Sequence, residues 1–171
     1  MTLLKGTFGC LLLALASWAC ALTPEQVVRM ASGDSDSRIA ALDAAVAAGD
    51  ATVVPYIEAL LADEVRVAGA RAFIVRDEKT TDAATGAAAT LPADAEEVIN
   101  NNRMRQAFES ARAAFKLFSP DRSVREAAIG ELRDSADEGM LALLTRAEKS
   151  ETDVGLKAQL QMLQAGALIS S

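Results

Sequence analysis

The segment Asn101-Asn102-Arg103-Met104-Arg105 gathers two amides and two guanidinium groups into five consecutive residues. Asn101, Asn102, Arg103 and Arg105 are therefore the candidate interaction residues. Asn101 falls on an apolar helical stripe, where an amide is costly to bury without hydrogen-bond partners. It is expected to bond backbone in the preceding segment and fix where that segment lies; the functional alternative is a ligand contact. Arg103, Arg105 and Arg112 are expected on a solvated face, with Glu109 spaced to pair with Arg105 or Arg112.

Catalytic chemistry is otherwise scarce. The chain has no histidine, and its two cysteines, Cys10 and Cys20, both lie in the first 21 residues. Zinc sites of the usual kind, Ser-His triads and thiolate nucleophiles have no residues from which to be built in a chain that loses that leader. Paired carboxylates occur at Glu96-Glu97, Asp34 with Asp36, and Asp137-Glu138, but each is expected beside a helix N-terminus, where it favours the helix dipole. Gly69 and Gly86 are isolated and open no phosphate loop, and Asp77, Glu78 and Asp82 lack calcium-loop spacing. The expectation is a protein without catalytic residues, cofactor or metal.

The elements that position these residues read as helices. Of 171 residues, 51% are apolar but only 4% aromatic, so the core must be built from Ala, Leu, Val and Ile. Alanine is the strongest helix former and lets helix axes approach closely, which predicts an all-α domain. Thr23-Pro24-Glu25-Gln26 forms a capping box with proline in the first turn, opening a short helix that stops at Gly33. Ile39, Leu42, Ala45 and Val46 recur at helical steps before Gly49, and Asp50 opens a helix carrying Val53, Ile57, Leu60 and Leu61. These helices make up residues 22–63.

Residues 64–93 break the rhythm. Val65-Arg66-Val67 and Phe73-Ile74-Val75 are β-branched and aromatic, separated by Gly69 and followed by the polar run 77–82, which predicts a small β-hairpin or extended arm, part of it mobile. Residues 94–171 return to helix. The longest element is expected from Asp94 or Ala95 to Phe118, with Val98, Asn101, Met104, Phe108, Ala111, Phe115 and Phe118 on one buried face. Three further stripes follow: Val124, Ala128, Leu132; Met140, Leu141, Leu144, Ala147; and Leu156, Leu160, Leu163, Ala167.

Asp121 followed by Val124-Arg125, Ala128 and Leu132 resembles the first helix of a HEAT repeat, in which an acidic residue caps the helix and an arginine reaches to the neighbouring pair. Asp36, Ile39, Leu42 and Val46 echo that layout, and Asp153, Val154 and Leu156 begin it again. A short α-solenoid of HEAT-like helical repeats with the arm inserted is the expected architecture.

Residues 1–21 read as a signal peptide: Lys5, the apolar run Leu11-Leu12-Leu13-Ala14-Leu15-Ala16, then Ala19-Cys20-Ala21 at the cleavage position. An uncleaved anchor and a lipidated Cys20 are the alternatives. Removal takes Lys5 with the leader, leaving 16 basic against 24 acidic residues, so the net charge moves from −7 to −8. Such a surface repels phosphates and anionic headgroups, so neither nucleic acid nor direct membrane insertion of the mature domain is expected.

The ordered set Thr81-Asp82-Ala83-Ala84-Thr85-Gly86, Asn101-Asn102-Arg103-Met104-Arg105, Leu117-Phe118-Ser119-Pro120-Asp121 with Val124-Arg125, and Glu151-Thr152-Asp153 resembles the N-terminal extracytoplasmic region of the urea ABC transporter permease, of the branched-chain amino acid permease type. The resemblance covers essentially the whole chain. It implies an exported, periplasmic, non-catalytic domain of a uptake system for urea or short-chain amides, held near the inner membrane by its partners. Those implied partners are a second permease, two cytoplasmic ATPases and a periplasmic urea-binding protein. After the leader the chain shows no further run of about 20 apolar residues, so transport is expected of the assembly, with this chain a fragment, a separately encoded domain or a split-gene product. An independent secreted HEAT-like protein-protein adaptor is the alternative reading.

Overall fold

The computed structural model describes residues 22–169; the expected signal peptide lies outside them. Local chemistry sets the helix ends. The Thr23 hydroxyl accepts from the Gln26 amide while the Gln26 side chain accepts from the Thr23 amide, opening α1 (Pro24–Ala31). Asp34 caps α2 (Ser35–Ala48), which ends on Gly49 at φ +67°, a left-handed position that suits glycine. A short 3₁₀ turn capped by Asp50 leads into α3 (Val54–Leu61).

The chain then forms a four-stranded antiparallel sheet: β1 (Val65–Ala68), β2 (Arg71–Arg76), β3 (Lys79–Asp82) and β4 (Glu96–Glu97), in the order β3-β2-β1-β4. The expectation of an all-α HEAT-like solenoid is thereby corrected to a mixed α and β architecture with a helical majority. The β1–β2 hairpin lies where the β-branched residues predict it, with Val65 opposite Ile74 and Val67 opposite Ala72. The polar run beyond it is an edge strand, Ile74 facing Thr81 and Val75 facing Thr80. The alanine-rich stretch folds back along β3: the Asp82 amide donates to Ala87 O and the Ala89 amide donates to Thr80 O.

Helix resumes later than its apolar period suggests. Glu96 and Glu97 pair with Val67 and Arg66 on the β1 edge instead of starting a helix, and the Val98 amide donates to Val65 O. Strand pairing thus overrides helical spacing up to Asn100. α4 (Asn102–Lys116) buries Met104, Phe108, Ala111, Ala114 and Phe115. α5 (Arg122–Leu132), α6 (Leu141–Ser150) and α7 (Val154–Ile169) follow. α4 lies between α2 and α3 on one side and α5 on the other, α1 packs on α2 and the sheet, and α7 packs on α5 and α6. Val124, expected in the buried stripe of α5, is exposed, whereas Ala128, Ile129 and Leu132 are buried.

Asp77 and Glu78, at φ +48° and +65°, form the two-residue turn between β2 and β3, a left-handed pair in which glycine is favoured at the second position. Glu78→Gly should therefore stabilise the fold by about 0.5–1 kcal/mol. The check is a thermal midpoint higher by a few degrees; an unchanged or lower midpoint would contradict the turn assignment.

Candidate functional site

The candidate residues converge on the junction between the sheet and α4. Asn101 is the N-cap of α4: its Oδ1 accepts from the Met104 amide at 2.9 Å and its Nδ2 donates to Ser35 Oγ at 2.9 Å. It is exposed and does not lie on the buried stripe. Asn102, the first residue of the helix, is exposed and forms no side-chain hydrogen bond among the described residues. Arg103 reaches from α4 to Asp36 in an exposed ion pair. Arg105 points the other way, donating to Leu61 O at 3.0 Å and to Asp63 at 2.6 Å. The Arg105 guanidinium, then burial opposing it, sets the balance at Asp63, whose carboxyl is held below its ordinary range. Glu109 forms no ion pair among the described residues, and the Arg112 Nε is buried without a partner, so the expected pairing of Glu109 with Arg105 or Arg112 does not occur.

The residue that anchors the segment before α4 is Asn100, not Asn101. Asn100 is buried, its Nδ2 donates to Leu60 O at 2.7 Å, and its Oδ1 accepts from Arg38. Arg38, only 5% exposed, also donates from Nε to Met30 O at 2.9 Å and from Nη1 to Ile99 O at 3.0 Å. Its charge has no carboxylate partner among the described residues; three oxygen acceptors and the face of the Phe108 ring, 5.9 Å away, receive it. Burial shifts its pKa downward, with Tyr56 nearby opposing. A sequence signal existed: Arg38 precedes Leu42 by four and Ala45 by seven positions, on the inward face of α2.

Arg103 also borders a cleft of about 370 Å³ between α2, α4 and the α5–α6 connection, lined in addition by Asp43, Gln106, Ser110, Asp134 and Asp137. The cleft sets the carboxylates of Asp43, Asp134 and Asp137 beside the donors of Arg103, Gln106, Ser110 and Ser135, a chemistry suited to polar contact. It contains no nucleophile paired with a base. Among the described residues no group of three or more acidic side chains is arranged to hold a metal ion. Asp43 faces the 3₁₀ turn Glu138–Met140 so closely that a Cβ on Gly139 would lie 2.9 Å from the Asp43 Cγ. Burial, and secondarily Asp137, pushes the Asp43 carboxyl up to about 6. Asp137-Glu138 does begin that turn, and Asp34 with Asp36 begins α2, whereas Glu96-Glu97 lies on β4.

The remaining motif residues close two further knots. Asp82 Oδ1 accepts from the Ala84 and Thr85 amides and from the Thr85 hydroxyl, while Oδ2 accepts from Arg71. Burial works to raise its pKa, but Arg71 and the Thr85 and Ala84 donors together hold it low. Arg125 donates to both oxygens of Glu151, at 2.7 and 3.0 Å, and to Ser119 O, while Glu151 Oε1 accepts from the Thr152 and Asp153 amides. Asp153 caps α7 through the Leu156 amide and pairs with Arg122. Comparison with protein-family models, with curated proteins and with solved structures returns no match for this chain. Among the described residues no helix is long and apolar enough to cross a membrane.

Two outcomes follow from the junction. Arg38→Lys keeps the charge but cannot reach three acceptors in a fixed fork, so it should cost about 2–3 kcal/mol, read as a lower guanidinium-chloride midpoint. A cost near zero would show that the buried acceptors find other donors. For Asp43, the folded value lies above the ordinary 3.8, so its contribution to stability is fully present below about pH 4 and is lost as pH rises through about 6. Asp43→Asn should therefore stabilise the fold at pH 7, on the order of 1 kcal/mol once solvent screening of a half-buried group is allowed for. The advantage should vanish by pH 4 in paired thermal melts; a pH-independent difference would contradict it.

Proposed function

We propose that this chain is a non-catalytic extracytoplasmic domain of an ABC uptake system for urea or short-chain amides, acting by contact with the other proteins of that system. The reading rests on the resemblance to the urea permease region. The observation that carries it is that the motifs of that resemblance are the fold's own fasteners. Asp82 with Thr85 closes the end of β3, Asn101 and Arg105 join α4 to α2 and α3, and Arg125 with Glu151 ties α5 to the α6–α7 turn. Residues that specify one body in this way are what a domain built for docking shares with its kind. Chemistry at a substrate would call for a different set.

Partners on this reading are the remaining permease subunits, with their cytoplasmic ATPases, and the periplasmic urea-binding protein. The domain works on the periplasmic side, near the inner membrane. Asn102 and Arg103 are exposed motif residues at the start of α4, Arg103 bordering the acidic cleft, and they offer donors to an approaching partner.

The test is uptake of labelled urea by cells in which the gene for this chain is deleted and then restored, together with co-purification of the chain with the binding protein or permease subunits. Loss of uptake on deletion and recovery of those partners are expected. Arg103→Ala removes only an exposed pair with Asp36, so its melting temperature should stay within a degree or two of the parent while partner recovery falls. Unchanged uptake on deletion, with no transport protein recovered, would overturn the proposal.

A further inference from the structure

α7 carries two apolar faces, and only one is used. Leu156, Leu160, Leu163 and Ala167 are buried against α5 and α6. On the opposite side, Val154, Ala158, Met162, Ala165 and Ile169 recur at steps of four, four, three and four, which places them in a second stripe along the helix. All five are exposed, Val154 and Ile169 at 84% and Met162 at 75%. Lys157 is the only charged side chain of the helix, and it leans toward Glu148 of α6. A helix apolar on both sides is the pattern of an element covered on both sides.

The form of the stripe indicates what covers it. Met162 projects between small residues, Ala158 on one side and Ala165 with Gly166 on the other, so the surface presents one knob flanked by two hollows. Two copies of this helix running antiparallel about a two-fold axis would seat each Met162 in a hollow of the other. The rim agrees. A groove of about 750 Å³ beside the stripe, floored by Ile129 and Leu163, is edged by Arg133 and Asp134 at the end of α5. Neither forms an ion pair among the described residues, although most arginines of the fold do. One unpaired charge of each sign, side by side, is complementary to its own two-fold image.

We propose that the outer face of α7 is the interface of a two-fold homodimer, in which α7 packs antiparallel on α7 of a second copy and Arg133 of each copy meets Asp134 of the other. This stands on the α7 face alone and does not depend on the transport reading.

The test is sedimentation equilibrium of the full chain over a wide concentration range. A monomer–dimer equilibrium is expected. Met162→Asp and Ala158→Arg, both at exposed positions, should each raise the dissociation constant tenfold or more with an unchanged circular dichroism spectrum. Arg133→Asp and Asp134→Arg should each weaken the dimer, and the two together should restore it. The restoration decides the matter even if a stripe variant fails to fold. A strictly monomeric chain, an open-ended assembly, or a dimer indifferent to all four substitutions would overturn the proposal. So would a chain that is monomeric alone and covers α7 only with a different protein.

Discussion

The fold depends on arginines that close the ends of helices to which they do not belong. The last carbonyls of a helix have no partner within it and carry the negative end of its dipole, so a guanidinium arriving from elsewhere satisfies both needs. Arg38 of α2 serves Met30 O at the end of α1, and Arg146 of α6 serves Gly49 O beyond α2. Arg105 of α4 serves Leu61 O at the end of α3, and Arg125 of α5 serves Ser119 O beyond α4. Each of the first four helices is thus fastened at its C-terminal end by another helix. Alanine-rich faces bring helix axes close but provide few large side chains to bridge the junctions between elements. Long, forked donors fill that role here.

Arg38 is the most demanding of these contacts because it is buried without a carboxylate. Moving a guanidinium out of water is costly, and only complete hydrogen bonding with a polarisable ring nearby offsets the cost. Asn100 completes the set by accepting from Arg38 while donating to Leu60 O, so α1, α2, α3 and the lead-in to α4 meet at one polar point. That point also explains the sheet. Residues 98–100 must run extended to reach it, which lays the preceding Glu96 and Glu97 along the β1 edge and adds a fourth strand to what would otherwise be a three-stranded meander.

What was legible in the sequence was local. Thr23 with Gln26, Gly49, and Asp121, which caps α5, act on residues within a turn of themselves, and their types suffice to place the helix ends. The stripe Met104, Phe108, Ala111, Phe115 was legible for the same reason, being one helix seen from its core side. The strands β3 and β4 were not. Lys79-Thr80-Thr81-Asp82 and Glu96-Glu97 are polar, exposed or partly so, and owe their conformation to a neighbouring strand, so no hydrophobic period marks them. Val98 was misleading: it is buried in step with Met104 and Phe108, yet it reaches the core from an extended segment. The sequence marks Asn101 as a structural residue, but the anchoring role belongs to its neighbour Asn100, whose partners Leu60 and Arg38 lie far away along the chain.

The same division governs what can be said of function. Of the four candidate residues, Asn101 and Arg105 are consumed by the fold, one as a helix cap and the other as a fastener of α3. Their chemistry is spent inside the molecule. Arg103 and Asn102, in the first turn of α4, remain at the surface, and so does the outer stripe of α7, with Asp134 between the cleft beside Arg103 and the groove beside the stripe. A body whose polar residues are committed to its own junctions keeps its shape when touched, and its free surfaces are then the places where specificity can reside. The donors beside an acidic cleft and the uncharged helical face differ in chemistry, so they favour different contacts, and because Asp134 lines both the cleft and the groove beside α7, occupation of one bears on the other.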